Sequence, residues 1–368
     1  MRILFVTQFS EIGGTSRLHA LQFIPFLKRD NNMLFRTIFI YPDSFFRVQM
    51  GLVKASAMRK FINLFLYLCI GLFKKIYIAF LAAGYDAVFI QRETFPGSIY
   101  RLLRVFNPRI VYQLEDPIYE ASPFMKRGPI YGLLLRYQTR LCYIMMRKAA
   151  WVIAENDSIA QEARKYNGRV SVISAPIDSE RFFPLKRTGN PSPVTIGWIG
   201  SPATTYLLKK IDQVFMILCE KYGDRVQLKV VGAAEDYVSS CAHLVKKKWS
   251  FDEEVQDLQS FDIGIMPISN VPFHRARLGG KMIFYMMVGI PFVADDAPLN
   301  RGAAKDGVHG FFVHTNEEWI HKLSLLIENA ELRARFGKEG RKRAEEKFSL
   351  QSKIVIFADI LKKVALQN

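Results

Sequence analysis

The sequence is short of the features that mark several protein classes. Its four cysteines in 368 residues are Cys69, Cys142, Cys219 and Cys241. They form no CxxC pair and stand at no zinc-ligand spacing with histidine, which excludes a disulfide scaffold and a zinc module. They read as reduced thiols, mostly filling the core. No GxGxxG follows a strand, so the dinucleotide fingerprint is missing. There is no DxD sequence, no short-period repeat, no low-complexity tract and no helix-turn-helix, RRM or zinc-finger signature. Acidic charge is scarce: 34 Asp+Glu stand against 51 Lys+Arg, a net +17. The opening MRILFVTQ is too short for the apolar region of a signal peptide, and no small-residue cleavage site follows it. It reads as a first β-strand, and the expected compartment is the cytoplasm.

What is present is a folded, two-domain composition. Half the residues are hydrophobic and 23% are charged, the balance of a globular chain with room for two cores. The positive charge is one-sided. Residues 1–150 carry 21 basic and 8 acidic side chains, whereas 151–368 carry 30 and 26. Such a field suits a polyanionic partner: anionic lipid, nucleic acid or a phosphate-bearing substrate. An ordinary basic solvent surface gives the same count. Nucleic acid ranks last, for want of any recognisable module, and is not an expected partner.

The most apolar stretch, Phe61–Phe73, runs into Lys74-Lys75 and then IYIAFLAA. Two lysines near the middle of a membrane span are expensive, so a transmembrane helix is rejected. With Lys54, Arg59, Lys60, Lys74 and Lys75 around an aromatic body, two readings stay open: a helix lying in a membrane interface and a buried core helix.

Short β-rich runs alternate with helical stretches along the whole chain. The strand expectations are 3–8, 37–41, 87–91, 110–114, 151–154 and 170–173, then 195–198, 227–231, 263–267, 291–294 and 310–313. Several are apolar on both faces, as in parallel strands covered by helices, so the class is α/β with doubly wound parallel sheets. Between them lies FFPLKRTGNPSPV, with Pro184, Gly189, Pro191 and Pro193, a linker composition. The expected division is a Rossmann-like domain over 1–185 and a second over 194–353, with the 354–368 helix packing back onto the first. Ligands of such sheets bind at the carboxyl ends of strands, here in a central cleft between the domains.

Three loops at those ends carry chemistry. Gly13-Gly14 follows the first strand and precedes a helix expected over 18–27, with Arg17 adding a fixed charge; close backbone approach to a ligand and an ordinary tight turn both fit. Gly200-Ser201-Pro202 follows the 195–198 strand and opens a helix near Thr204. Gly200 permits close approach and Ser201 is a natural cap, so a phosphate or hydroxyl seat and a merely well-capped helix both fit. The third loop is the richest: Arg275, Arg277 and Lys281 converge after the 263–267 strand around Gly279-Gly280. Arginine offers planar bidentate hydrogen bonds and lysine a point charge, a set suited to gripping a diphosphate.

These motifs, in this order, resemble the family 4 (group 1) glycosyltransferases of the GT-B fold. The resemblance is carried by IGWIGSPATTYL, LKVVG, FDIGIMP, RARLGGK with YMMVGIPFVA, and DGVHGFFV, and in the first half by TSRLHALQFIPFLKRD, FIQRE, VYQLEDPIY and WVIAENDSIAQEA, landmarks of one bacterial branch. It implies transfer of a sugar from a nucleotide-sugar to an acceptor hydroxyl with retention, donor on the second domain, acceptor on the first, and neither metal nor cofactor. On the family pattern Arg275, Arg277 and Lys281 bind the phosphates, with Arg277 and Lys281 stabilising the leaving group. Gly13-Gly14 faces the diphosphate, and Gly200, Ser201, Thr204 and Phe284 complete the donor side.

One departure is serious. The family's EX7E carboxylates would fall at Ala276 and Phe284, and neither is acidic. Other carboxylates stand at strand ends: Arg92-Glu93 and Glu115-Asp116, which with Arg17 form the expected acceptor side. They could bind hydroxyls or take a proton, and surface charge or a local Arg92–Glu93 pair reads equally well. His19 reads as core or surface, and His274 neighbours the cationic loop. The resulting reading is a UDP- or, second, GDP-sugar transferase acting on a lipid-linked or surface-polysaccharide acceptor, cytoplasmic and peripheral on anionic membrane. Its rival is a catalytically silent GT-B subunit that binds nucleotide or a partner protein.

Overall fold

A computed structural model of the chain describes residues 1–31, 33–49, 56–120, 129–174, 176–185, 192–269 and 280–367. The chain divides into two units, one built on Met1–Pro176 with Lys353–Asn368, the other on Ile177–Asn270 with Leu278–Ser352. Each holds a six-stranded, all-parallel sheet covered by helices, so the doubly wound α/β expectation holds.

In the first unit the strands are β1 (Arg2–Thr7), β2 (Leu34–Phe39), β3 (Ala87–Gln91), β4 (Ile110–Leu114), β5 (Trp151–Ala154) and β6 (Val170–Val172), in the order β2-β1-β3-β4-β5-β6. Alternate residues supply two cores. Leu4, Val6, Val88, Ile90 and Tyr112 lie under Ile78, Ala79, Leu103 and Met145. On the opposite side Phe5 meets Phe89, with ring centroids 4.7 Å apart, and Phe357 of the C-terminal helix stacks on Phe23 at 4.2 Å.

The helix expected over 18–27 is interrupted. A turn at Gly14–Ser16 runs into a π-helical turn over Arg17–Leu21, and the α-helix proper is Phe23–Asn31. Pro25 has no N–H to donate, a lack tolerated only in a helix's first turn, so the helix restarts just before it.

The helix Ala57–Leu81 settles where its lysines go. Lys75 is buried and its Nζ lies 2.6 Å from Glu93 Oε1, while Lys74 Nζ donates to the Phe39 carbonyl at 2.7 Å. Neither lysine sits on an outward basic face, contrary to expectation, because β2 and the loop after β3 offer an acceptor to each. Arg59, Lys60 and Phe61 have side chains outside the described ones, and Lys54 lies outside the described residues. Ile62–Gly84 is long and apolar enough to cross a membrane by length and composition, yet Ile78, Ala79 and Ala82 are fully buried in the sheet core. Its C-terminal end is therefore core, while Phe65 and Phe73 are 62% and 73% exposed.

The second unit orders β12 (Gly310–Val313), β11 (Phe292–Asp295), β10 (Ile263–Met266), β7 (Val194–Ile199), β8 (Val226–Val231) and β9 (Leu244–Lys247). β9 was not anticipated. Its LVKK sequence has no core alternation, as suits a short lysine-bearing edge strand. The thiol expectation also fails in part: Cys219 and Cys241 form a disulfide, whereas Cys69 and Cys142 are free. The fold brings the helix Asp212–Tyr222 against the segment entering β9, with the two Cα atoms 5.6 Å apart, a proximity invisible in residue spacing. The reading as reduced thiols therefore stands for Cys69 and Cys142 alone.

Candidate active site

In the second sheet the strand order reverses beside β7, between β10 and β8, and such a reversal opens a crevice at the strands' carboxyl ends. Gly200 follows β7 there. A Cβ on it would lie 2.4 Å from Trp198 ring atoms and 3.1 Å from Lys281 Cε. Gly232, after β8, has φ +76°, and a Cβ on it would meet the Gly200 carbonyl oxygen at 2.2 Å. Only two glycines let the turns after β7 and β8 touch. Ser201 and Thr204 then cap each other reciprocally, Ser201 N–H donating to Thr204 Oγ1 at 3.3 Å, and Thr205 Oγ1 accepts from Ala234 N–H at 2.9 Å.

Lys281 opens the helix Gly280–Met287, and its Nζ lies 5.1 Å from the centroid of the Trp198 ring. The structure thus brings Gly200, Ser201, Thr204 and Lys281 to one end of one sheet. Arg275, Arg277, Gly279, His274 and Ala276 lie outside the described residues. Phe284 is turned to a packing contact, its ring 5.0 Å from that of Phe182. Asp295 was missed in the sequence. Its Oδ2 accepts from Lys210 Nζ and from the Ile268 N–H, both at 2.8 Å, and its Oδ1 accepts from Trp319 Nε1 at 3.2 Å. That one carboxylate tethers the segment leading from β10 into the cationic loop.

In the first sheet the order reverses at β1 and β3. Gly13 is tight, since a Cβ would meet Phe9 Cβ at 2.9 Å, whereas Gly14 has nothing within 4 Å. Arg17 and His19 are buried in the π-helical turn, and His19 Nε2 lies 3.8 Å from Glu155 Oε1. Ser16 Oγ donates to Gln91 Oε1 at 3.4 Å, and Gln91 Nε2 donates to Glu115 Oε1 at 2.9 Å. The glycine loop is thereby wired to the ends of β3 and β4.

The expected acceptor residues converge there, but not in the expected pairs. Glu93 is buried and pairs with Lys75, accepting also from Gln8 Nε2 at 2.8 Å and, more weakly, from the Tyr41 hydroxyl at 3.4 Å. Arg92 serves the other carboxylates, its NH1 lying 2.8 Å from Asp116 Oδ2 and 3.4 Å from Glu115 Oε1. The local Arg92–Glu93 pair does not form, because Arg92 takes φ +61° and turns away from its neighbour. A left-handed arginine costs about 1–2 kcal/mol and marks a place where the surroundings impose the backbone. Burial pushes the Glu115 carboxyl up to about 7, against the pull of Arg92 and with Asp116 adding to the rise. Its Oε2 is buried with no hydrogen-bond partner among the described residues. A carboxyl of this kind can accept from a hydroxyl and exchange a proton near neutral pH. Lys75, Gln8 and Tyr41 were missed. Only the aromatic-basic helix hinted at one of them.

Residues 207–343 match the family described as glycosyl transferases, group 1. The chain carries a group 1 glycosyltransferase domain. No curated protein sequence matches the chain at a significant level. Among solved structures, the chain is similar to Anabaena HepE crystallised with UDP and glucose (TM-score 0.64, 16% identity, 99% of this chain and 100% of that one). It is similar also to sucrose-phosphate synthase of Thermosynechococcus elongatus (TM-score 0.67, 14% identity, 99% of each chain). Staphylococcal TarM superimposes with a TM-score of 0.60 at 16% identity over 79% of this chain, which spans 58% of TarM's length. These likenesses show the GT-B fold, as the motif resemblance implied.

Proposed function

We propose that this glycosyltransferase moves a sugar from a nucleotide-sugar to a hydroxyl of a lipid-linked or surface-polysaccharide acceptor, with retention and without a metal ion. The observation that carries the reading is Lys281 against the Gly200-Ser201 seat at the reversal of strand order. A fixed cation beside a turn that only glycine can make is suited to a leaving diphosphate, whose developing charge it would offset. Arg275 and Arg277 belong to the same loop in sequence and complete the grip. UDP is preferred to GDP because HepE, which shares the fold, is crystallised with UDP. The acceptor side is the Arg92, Glu93, Glu115 and Asp116 cluster.

The membrane element of the proposal rests on the exposed apolar side chains of Ala57–Leu81 and the basic first half. They favour a cytoplasmic protein peripheral on the inner face of an anionic membrane. Replacing Lys281 or Arg277 with alanine should lower turnover about 100-fold or more, while activity survives EDTA. Wild-type kinetics in both variants refutes the phosphate grip, and strict dependence on magnesium or manganese refutes the metal-free reading. The rival, a silent subunit that binds nucleotide, is favoured by Phe284 packing on Phe182 where the family has a carboxylate. Binding of UDP in a thermal-shift screen, with neither transfer nor hydrolysis of any nucleotide-sugar, would decide for it.

A further inference from the structure

A groove of about 570 Å³ lies along the helix Pro129–Lys148 in the first unit, lined by none of the residues assigned above. Tyr119, Tyr143 and Tyr166 line it as a stacked column, with centroids 5.9 Å apart for the first pair and 4.5 Å for the second. Leu135 and Ile144 add apolar wall. Arg136, Arg140 and Arg147 rise from the same helix at spacings that share a face, and all three are exposed. None of them pairs with a carboxylate among the described residues. Glu162, the acidic group beside Tyr143, is bridged to Lys165 at 2.6 Å.

The groove's helix is fastened to the segment that follows Glu115-Asp116. Thr139 Oγ1 donates to the Tyr119 carbonyl at 3.1 Å and Gln138 Nε2 to the Ile118 carbonyl at 3.3 Å. Tyr119 is three residues beyond Asp116, so their Cα atoms are at most about 11 Å apart. On the same helix Leu133 and Leu134 are exposed by 67% and 53%.

We propose that this groove binds the phosphate of a lipid-linked acceptor together with the first part of its apolar chain; the inference rests on the acceptor reading above. Charge and lining each exclude half of the alternatives. A free phosphate would leave the aromatic and aliphatic walls in water, and a neutral lipid would leave three arginines without an anion. An amphiphilic phosphate satisfies both, with guanidinium groups bidentate on the phosphoryl oxygens and the chain along the tyrosine column.

The test is calorimetric titration of the full chain, with no nucleotide-sugar present, by farnesyl phosphate below its micellar concentration, by farnesol and by inorganic phosphate. Farnesyl phosphate should bind about tenfold or more tighter than either half-ligand. In the R140Q/R147Q double variant its affinity should fall about tenfold or more, with an unchanged melting temperature. Equal binding of farnesol makes the groove merely apolar, and equal binding of inorganic phosphate makes it a simple anion site. Either result, no binding at all, or an unaffected double variant overturns the proposal. Because no donor is present, loss of the transfer reading leaves this readout unmoved, and the two can fail separately.

Discussion

Replacing Gly200 with alanine tests whether the turn after β7 is shaped by necessity. The new Cβ would lie 2.4 Å from Cζ2 and Cη2 of Trp198 and 3.1 Å from Cε of Lys281. The lysine stem can swing aside. Trp198 cannot, since it is fully buried within β7 and its neighbour Gly197 has Phe261 where a Cβ would be, at 1.9 Å. The strain must therefore pass into the backbone between β7 and Ser201. Overpacking of this kind costs about 1–3 kcal/mol, and in a unit of this size each kcal/mol lowers Tm by about 2–4 °C. Scanning calorimetry of the full chain should show a drop of roughly 2–12 °C, and titration with UDP should show weakened affinity. Gly14→Ala is the internal control: it has nothing within 4 Å and no positive φ, so its Tm should stay within about 1 °C or rise slightly. A G200A variant that melts and binds UDP like wild type would refute the reasoning.

Arg92→Ala should cost about 3–5 kcal/mol, because Glu115 and Asp116 lose the cation that offsets their burial; denaturant melts measure it, and a loss under 1 kcal/mol would contradict the pairing. The Glu115 carboxyl stands near 7 in the folded chain, above its unfolded value, so its contribution to stability is full below the unfolded value and is lost as pH rises through 7. Glu115→Gln should flatten the fall in stability between about pH 4.5 and 7 in pH-dependent melts, and an unchanged slope would refute the assignment. At the membrane, F65S/F73S should reduce sedimentation with anionic vesicles about tenfold, with a salt-resistant component lost first. Lys75→Gln should instead act through the fold, lowering Tm by breaking the buried Glu93 pair. Vesicle binding that depends on Lys75 but not on Phe65 and Phe73 would reverse that view.

Both sheets were legible because their information is local. The runs ILFV, AVFI and FVA carry period and apolarity within a few residues, and Gly200-Ser201-Pro202 spells its own turn and cap. β9 escaped because an edge strand need not be apolar on either face, and the restart of the first helix escaped because Pro25 acts two positions upstream of itself. What the chain alone could not specify was partnership at a distance. Arg92 could have paired with the next residue, and only its left-handed backbone sends it to Asp116. Glu93 meets Gln8, 85 residues away, because the strand order sets β1 beside β3. Lys75 reads from its sequence neighbours as an outward cation on an apolar helix, and becomes a buried one because Glu93 waits beneath it. Likewise Cys219 and Cys241 look like unrelated thiols until the helix Asp212–Tyr222 packs beside the segment entering β9. Sequence determined which residues could carry charge or fit a tight turn, since those are properties of single side chains and short spans. Tertiary structure decided which charges face one another, because a pair's energy depends on separation and burial, and both arise only when the sheets assemble.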